Sequence, residues 1–377
     1  MYAKTVVNQV LRHEQPDYIP LGTYAIDTDT AARVIGHKTF VRDKAGIQLA
    51  LWAGRRDEVA QSLKEDSVAL FQKLPNIDIV IPFKEAPLLP PAGYIPQKVK
   101  KLDDITWETE TGVVYRYSEL TNDILPVYFP ERSQDEDFMG EPVYTEPDPS
   151  IFEAYDTLVK AMSPTRFIAG LSGGFNPMVL LGNMEEGLME YGIDPDRVKA
   201  AALYWAKLHE KQDQAYIREN FDAIFVEDDF ASTQGTLISP ASFRDICLPV
   251  MKKRIGELKR YSEKVLLHSC GNTWSLLPMF VEAGVDCYQS LQTGAGMELG
   301  ALKAKYGQKL CFWGGVAVET LISGTPEEVR REVRRAFQNA ATDGGFILGP
   351  SHSIAYGVRY ENFCAMLDEH DKLKYQV

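Results

Sequence analysis

Apolar and polar positions alternate along this chain in a regular long-range pattern. Short, β-branched apolar runs typical of buried strands are separated by longer stretches with helical spacing. Val6, Val7, Val10 and Leu11 predict an opening helix, and Ile19 to Ile26 predict a first strand. Asp27-Thr28-Asp29 supplies side-chain oxygens to cap the helix carrying Ala31, Ala32 and Ile35. A long helical region over about 44–74 leads to a second run, Ile77 to Ile81, stopped by Pro82. From residue 149 onward the alternation is regular, with runs at Arg166–Leu171, Ala223–Val226, Lys264–Leu267, Val285–Leu291, Leu310–Trp313 and Phe346–Leu348. The intervening helices carry start signals. Asp194-Pro195 and Ser239-Pro240 place a capping residue before proline, and Thr325-Pro326-Glu327-Glu328 has the form of a capping box.

Strand, helix and strand joined by crossovers of this length imply parallel strands, and eight such units predict an α/β fold, a closed (β/α)8 TIM barrel. Residues 1–377 are read as one barrel domain. The stretch 84–146 interrupts it as an insertion rich in proline and acidic residues, with a hairpin pairing Ile105–Glu108 with Val113–Arg116. Such an insertion is either a surface elaboration or a lid over the barrel mouth. Dinucleotide binding finds no support, because no glycine-rich phosphate fingerprint follows a strand.

The charge balance of 40 basic against 53 acidic residues, net −13, leaves no basic stripe for a nucleic-acid backbone. No stretch approaches the roughly 18 apolar residues of a membrane span, and the polar N-terminus does not read as a signal peptide. Five widely spread cysteines without a CxxC pair fit reduced thiols, so the expectation is a cytoplasmic protein.

In a barrel of this kind the active site lies at the carboxyl ends of the strands, where this sequence places its polar residues. The run Val265-Leu266-Leu267 ends in His268-Ser269-Cys270, whose i and i+2 side chains project to the same side. An imidazole and a thiolate form a borderline-soft pair suited to zinc. His352, just past the last run, is the candidate third ligand. Glu227 and Asp228 end another run, as an oxygen ligand, a partner for a ligating histidine, or a helix cap. Tyr24, Tyr288, Gln289 and Trp313 are expected near the mouth as substrate contacts, with core packing as the alternative. Cys247, Cys287, Cys311 and Cys364 read as core residues, and His13, His37, His209 and His370 as surface ones.

Several of these segments together carry a family resemblance. Arg12-His13-Glu14-Gln15-Pro16-Asp17-Tyr18-Ile19-Pro20 resembles the opening of the uroporphyrinogen decarboxylase superfamily. So do Glu227-Asp228-Asp229 with Leu237-Ile238-Ser239-Pro240, His268-Ser269-Cys270-Gly271, Phe312-Trp313-Gly314-Gly315, and Gly349-Pro350-Ser351-His352-Ser353-Ile354. The resemblance implies a (β/α)8 barrel. It also implies one of two chemistries, metal-free decarboxylation or zinc-dependent methyl transfer with a corrinoid. The arginine-rich segment that decarboxylases carry after the first strand is here Tyr24 to Thr30, without arginine. His268 and Cys270 match the His-x-Cys zinc pair of the methyltransferase branch, while His352 stands where that branch has a distant cysteine.

The expectation is therefore a zinc methyltransferase moving a methyl group between a methoxylated compound or thiol and a separate corrinoid protein, as in O-demethylation. No corrinoid-binding motif occurs in the chain, so the cobamide would come with the partner. Glu227 or Asp228 would complete the coordination or hold a proton for the departing oxygen. A possible homodimer is implied by the resemblance alone. Two other readings fit the same pattern: a metal-free lyase using Asp27 and His352, or a non-catalytic barrel that binds a corrinoid or tetrapyrrole.

Overall fold

The computed structural model describes residues 2–130 and 138–376. Its centre is a curled, all-parallel, seven-stranded sheet. In order, the strands are Ile79–Val80, Phe167–Gly170, Ala223–Glu227, Val265–His268, Cys287–Gln289, Cys311–Val316 and Phe346–Pro350. Each pairs in parallel with the next strand of this sheet along the chain, the connections running through helices.

Along every strand the side chains sort by parity. Ile79, Phe225, Leu266, Cys287, Cys311, Trp313 and Ile347 join one buried cluster with Tyr24 and Ala25 inside the curl. Their neighbours Val80, Ile224, Val226, Val265, Leu267, Tyr288, Phe312, Phe346 and Leu348 join the core between sheet and helices. Both faces are apolar because helices cover one and the curl encloses the other. The opening helix Tyr2–Leu11 packs Val7, Val10 and Leu11 against the inner cluster, and Val10 O accepts from Gly345 N ahead of the last strand. The chemistry is thus left to the opposite end, where the strands finish.

The run from Ile19 to Ile26, expected as a strand, forms only isolated bridges, Leu21 with Leu348, Gly22 with Ile79, and Ile26 with Ile354. Pro20 has no N–H, Leu21 N donates to the Asp78 carboxylate at 2.9 Å, and Ile26 N donates to Glu85 at 3.0 Å. Side-chain oxygens take the donors that a ladder would use. The bridges nevertheless reach both edge strands of the sheet.

The helical region 44–74 is two helices, Lys44–Trp52 and Arg56–Lys73, parted at Gly54 with φ 74°. Asp27 heads the helix Thr28–Ile35 without a side-chain cap bond, since its oxygens accept from Arg42 Nε at 2.8 Å and Tyr356 N at 3.1 Å. Asp194, Ser239 and Thr325 do cap, the last in a full capping box with Glu328.

The insertion contains more than the expected hairpin. It is a four-stranded antiparallel sheet of Val99–Lys101, Thr106–Thr109, Val114–Ser118 and Asp123–Tyr128. The predicted pairing is present in register, Trp107 opposite Tyr115 and Glu108 opposite Val114. Trp107 and Tyr115 pack on Trp52, which docks this sheet on the helix Lys44–Trp52. Residues 131–137 of the expected insertion lie outside the described residues. His370, expected at the surface, is 1% exposed and pairs through Nε2 with Ile19 O at 2.8 Å. Cys364 is half-buried, while Cys247, Cys287 and Cys311 are buried.

Candidate metal centre

Strand parity decides which strand-end residues meet. Leu266 points inward, so His268 does as well, and the turn at Gly271 (φ 78°) brings Cys270 beside it. Cys270 Sγ lies 3.3 Å from His268 Nε2. His352 arrives on the loop after the last strand, its ring centroid 5.5 Å from that of His268. One ligand atom from each of His268, Cys270 and His352 lies within 4.8 Å of the others.

The orientation of each donor has a visible cause. His268 Nδ1 is bonded to Gln289 Oε1, on the inward face of the adjacent strand. That oxygen only accepts, so Nδ1 carries the proton and Nε2 keeps its lone pair toward Cys270. Tyr24 stacks on the His268 ring at 4.1 Å and 19°. His352 Nδ1 pairs with Ser353 Oγ at 2.9 Å. Cys270 N donates to Asp229 Oδ1 at 3.0 Å.

Burial holds His268 down at about 4, so its imidazole is neutral at physiological pH. Burial, with the Asp229 carboxylate beside it, pushes the Cys270 thiol up to about 12. A thiol so placed ionises only if a cation offsets the surrounding negative charge. Two neutral imidazoles, one thiol and nearby carboxylates are a donor set that fits a borderline-soft divalent ion such as zinc.

The other candidate residues separate cleanly. Tyr24 is buried beside the triad and donates to Glu227 Oε2 at 2.6 Å. Glu227 follows Phe225 inward and accepts from Lys84 Nζ at 2.5 Å. The net result of burial and the Lys84 ammonium is a Glu227 carboxyl held below its ordinary range, so it carries charge rather than a transferable proton. Asp228 has the opposite parity. It accepts from Met178 N at 3.4 Å on the side of Tyr191 and Cys247, and burial pushes it up to about 8.

Tyr288 and Trp313, expected at the mouth, are both fully buried. Tyr288 points outward to stack on Phe280 and donates to Ser269 O at 2.7 Å. Trp313 fills the interior of the curl below the site and donates to Gly22 O at 3.2 Å. Neither offers a ring face to a substrate. Gln289 is buried with Oε1 on His268, while its Nε2 has no hydrogen-bond partner among the described residues.

Lys84 and Arg42 went unnoticed in the sequence. Lys84 follows the short strand Ile79–Val80, so the strand-end rule that found His268 would have found it too.

A parallel, curled α/β sheet with its polar cluster at the strand ends defines the broad class. More narrowly, residues 122–373, more than half of the chain, match the family model for uroporphyrinogen decarboxylase, and the chain belongs to that family. A methylated-thiol–coenzyme M methyltransferase of Methanosarcina mazei is 28% identical over 176 residues, 46% of this chain and 44% of that protein. The uroporphyrinogen decarboxylase of Saccharophagus degradans is 25% identical over 233 residues, 58% of this chain and 62% of that one. The matches thus span about half the length of these relatives. A solved methyltransferase structure from Methanosarcina mazei superposes over 99% of both chains with a TM-score of 0.61 at 18% identity, a likeness of fold. No described helix is long and apolar enough to cross a membrane.

Proposed function

We propose that this protein is a zinc-dependent methyltransferase of the uroporphyrinogen decarboxylase family, working with a separate corrinoid protein at the open end of a (β/α)8 barrel. The barrel reading takes the bridged segment 20–26 as the eighth strand, since it bonds to both edge strands. The observation that carries the function is the convergence of His268, Cys270 and His352 ligand atoms within 4.8 Å. The methyltransferase relative supports the same reading over part of the chain.

His268, Cys270 and His352 would hold the metal, which when bound supplies Lewis acidity toward the oxygen or sulfur of the methyl donor. Gln289 keeps His268 in the ligating tautomer, and Tyr24 holds its ring face. The charged Glu227, tied to Tyr24 and Lys84, balances positive charge and is not the proton source. A metal-free lyase using Asp27 has less support, because both Asp27 oxygens already accept hydrogen bonds from Arg42 and Tyr356.

Metal analysis of the purified protein tests the centre. Wild type should hold about one zinc per chain, and His268→Ala, Cys270→Ala and His352→Ala should each lose it. Methyl transfer from a methoxybenzene or a methyl thioether to free cob(I)alamin should require the metal. Metal content equal in all four proteins, or turnover indifferent to a chelator, would remove this reading.

A further inference from the structure

We propose that Lys84 touches the methyl donor and donates a hydrogen bond to the atom that loses its methyl group. This rests on the methyl-transfer reading above and adds a residue to it.

Lys84 is an unusual side chain for its place. It is only 9% exposed, yet it lies on the inner side of the sheet, on the turn that follows the strand Ile79–Val80. Burying an ammonium carries a desolvation cost that a hydrophobic residue of the same length avoids. Packing alone therefore gives no reason for a lysine. Its Nζ donates to Tyr24 Oη and to Glu227 Oε2, both at 2.5 Å, and lies 4.1 Å from the centre of the Tyr24 ring. An ammonium has three N–H groups. Two are occupied, and the third has no hydrogen-bond acceptor among the described residues, with the Phe83 ring 4.9 Å from Nζ.

The surroundings tell where that donor is useful. Tyr24 touches both Lys84 and the metal triad, since its ring lies 4.1 Å from Nζ, stacks on His268 at 4.1 Å and stands 5.4 Å from His352. Glu227, which shares the ammonium, is 41% exposed, so the pair opens toward solvent on the substrate side. Tyr24 and Glu227 hold Nζ from two directions, which fixes the ammonium in advance of any ligand. A fixed, largely desolvated cation beside a reacting group acts most strongly on charge that appears during the reaction.

The transfer creates such charge. The bond from carbon to oxygen or sulfur breaks, and its electron pair stays on the departing atom. The pair for the new bond to the methyl carbon comes from the reduced corrinoid, which is oxidised by two electrons. The departing phenolate, alkoxide or thiolate gains a full negative charge and takes its proton from water after release. Lys84 supports that anion without giving up its own proton.

A leaving-group series distinguishes this role from a structural one. Full-length wild type, Lys84→Met and Lys84→Arg are assayed with free cob(I)alamin and methoxybenzenes whose ring substituents vary the acidity of the phenol. Lys84→Met should lose about 100-fold or more with unsubstituted methoxybenzene and far less with nitro-substituted donors. Lys84→Arg should recover part of the loss, with zinc content and melting temperature close to wild type in both variants. A second readout needs no turnover. Wild type should bind 4-nitrophenol as the coloured phenolate below the pH at which the free compound ionises, and Lys84→Met should not.

An equal loss for every donor, or phenolate binding unchanged by Lys84→Met, overturns the proposal and leaves the methyltransferase reading intact. Wild type that turns over no donor and binds no phenolate overturns both.

Discussion

At His268 three neighbours act on one imidazole. Gln289 fixes its proton, Tyr24 covers its face, and Cys270 stands 3.3 Å from its free nitrogen. Partners of ligating histidines are generally worth about 10–100-fold in metal affinity. Gln289→Leu should therefore weaken zinc binding by about that factor while the protein remains folded, as read by competition with a chromophoric chelator. Affinity equal to wild type would mean that Gln289 does not orient the ring. Parity also explains which candidates fail. Gln289 and Tyr288 are adjacent, as are Glu227 and Asp228, and in each pair one residue faces the site while the other faces the helices. Period-two alternation was readable in the sequence from Cys287 and Phe225, the inward-facing residues two places before Gln289 and Glu227.

Among the elements, the segment Pro20–Ile26 and the strand Cys311–Val316 are held together by a close approach. The Trp313 ring lies against Gly22 and Gly349, and a Cβ on Gly22 would come within 2.4 Å of the indole. The indole N–H also donates to Gly22 O. Gly22→Ala should cost about 1–3 kcal/mol, since overpacking a closed core forces side chains off their rotamers. Urea denaturation measures this, and an unchanged midpoint would show that the tryptophan shifts freely. The inner cluster explains the choice of residues. Alanines and cysteines at 25, 169, 223, 287 and 311 leave the room that one tryptophan fills.

For the whole molecule, stability carries a pH signature with opposing parts. Burial holds His370 at about 4 in the folded state, against an ordinary value of 6.5. Between those values the unfolded chain binds the proton and the folded chain does not, so stability falls as the pH drops from 6.5 toward 4. The loss is on the order of 3 kcal/mol at most, from about 1.4 kcal/mol per pH unit. His268, also near 4, acts in the same sense. Glu85 and Asp228, pushed up to about 8 by burial from ordinary values of 4.5 and 3.8, act oppositely, and their stabilising contribution is lost progressively as the pH rises from those values to 8. The urea midpoint of His370→Gln minus that of wild type should be higher at pH 5 than at pH 7. A difference that does not change with pH would show that His370 carries no acid sensitivity.

Helix starts at Asp194, Ser239 and Thr325, six of the sheet strands from Phe167 onward, and the His268–Cys270 pair all follow from the sequence, because each depends on residues within a few positions of one another. The rest required the folded chain. Asp78 and Glu85 take backbone donors from a segment more than fifty residues away, which turns an expected strand into bridges. Lys84, Tyr24 and Glu227 meet only because the sheet curls, and His352 reaches His268 across more than eighty residues for the same reason. Local pattern is set by backbone geometry, whereas a site is set by which strand ends the curl brings face to face.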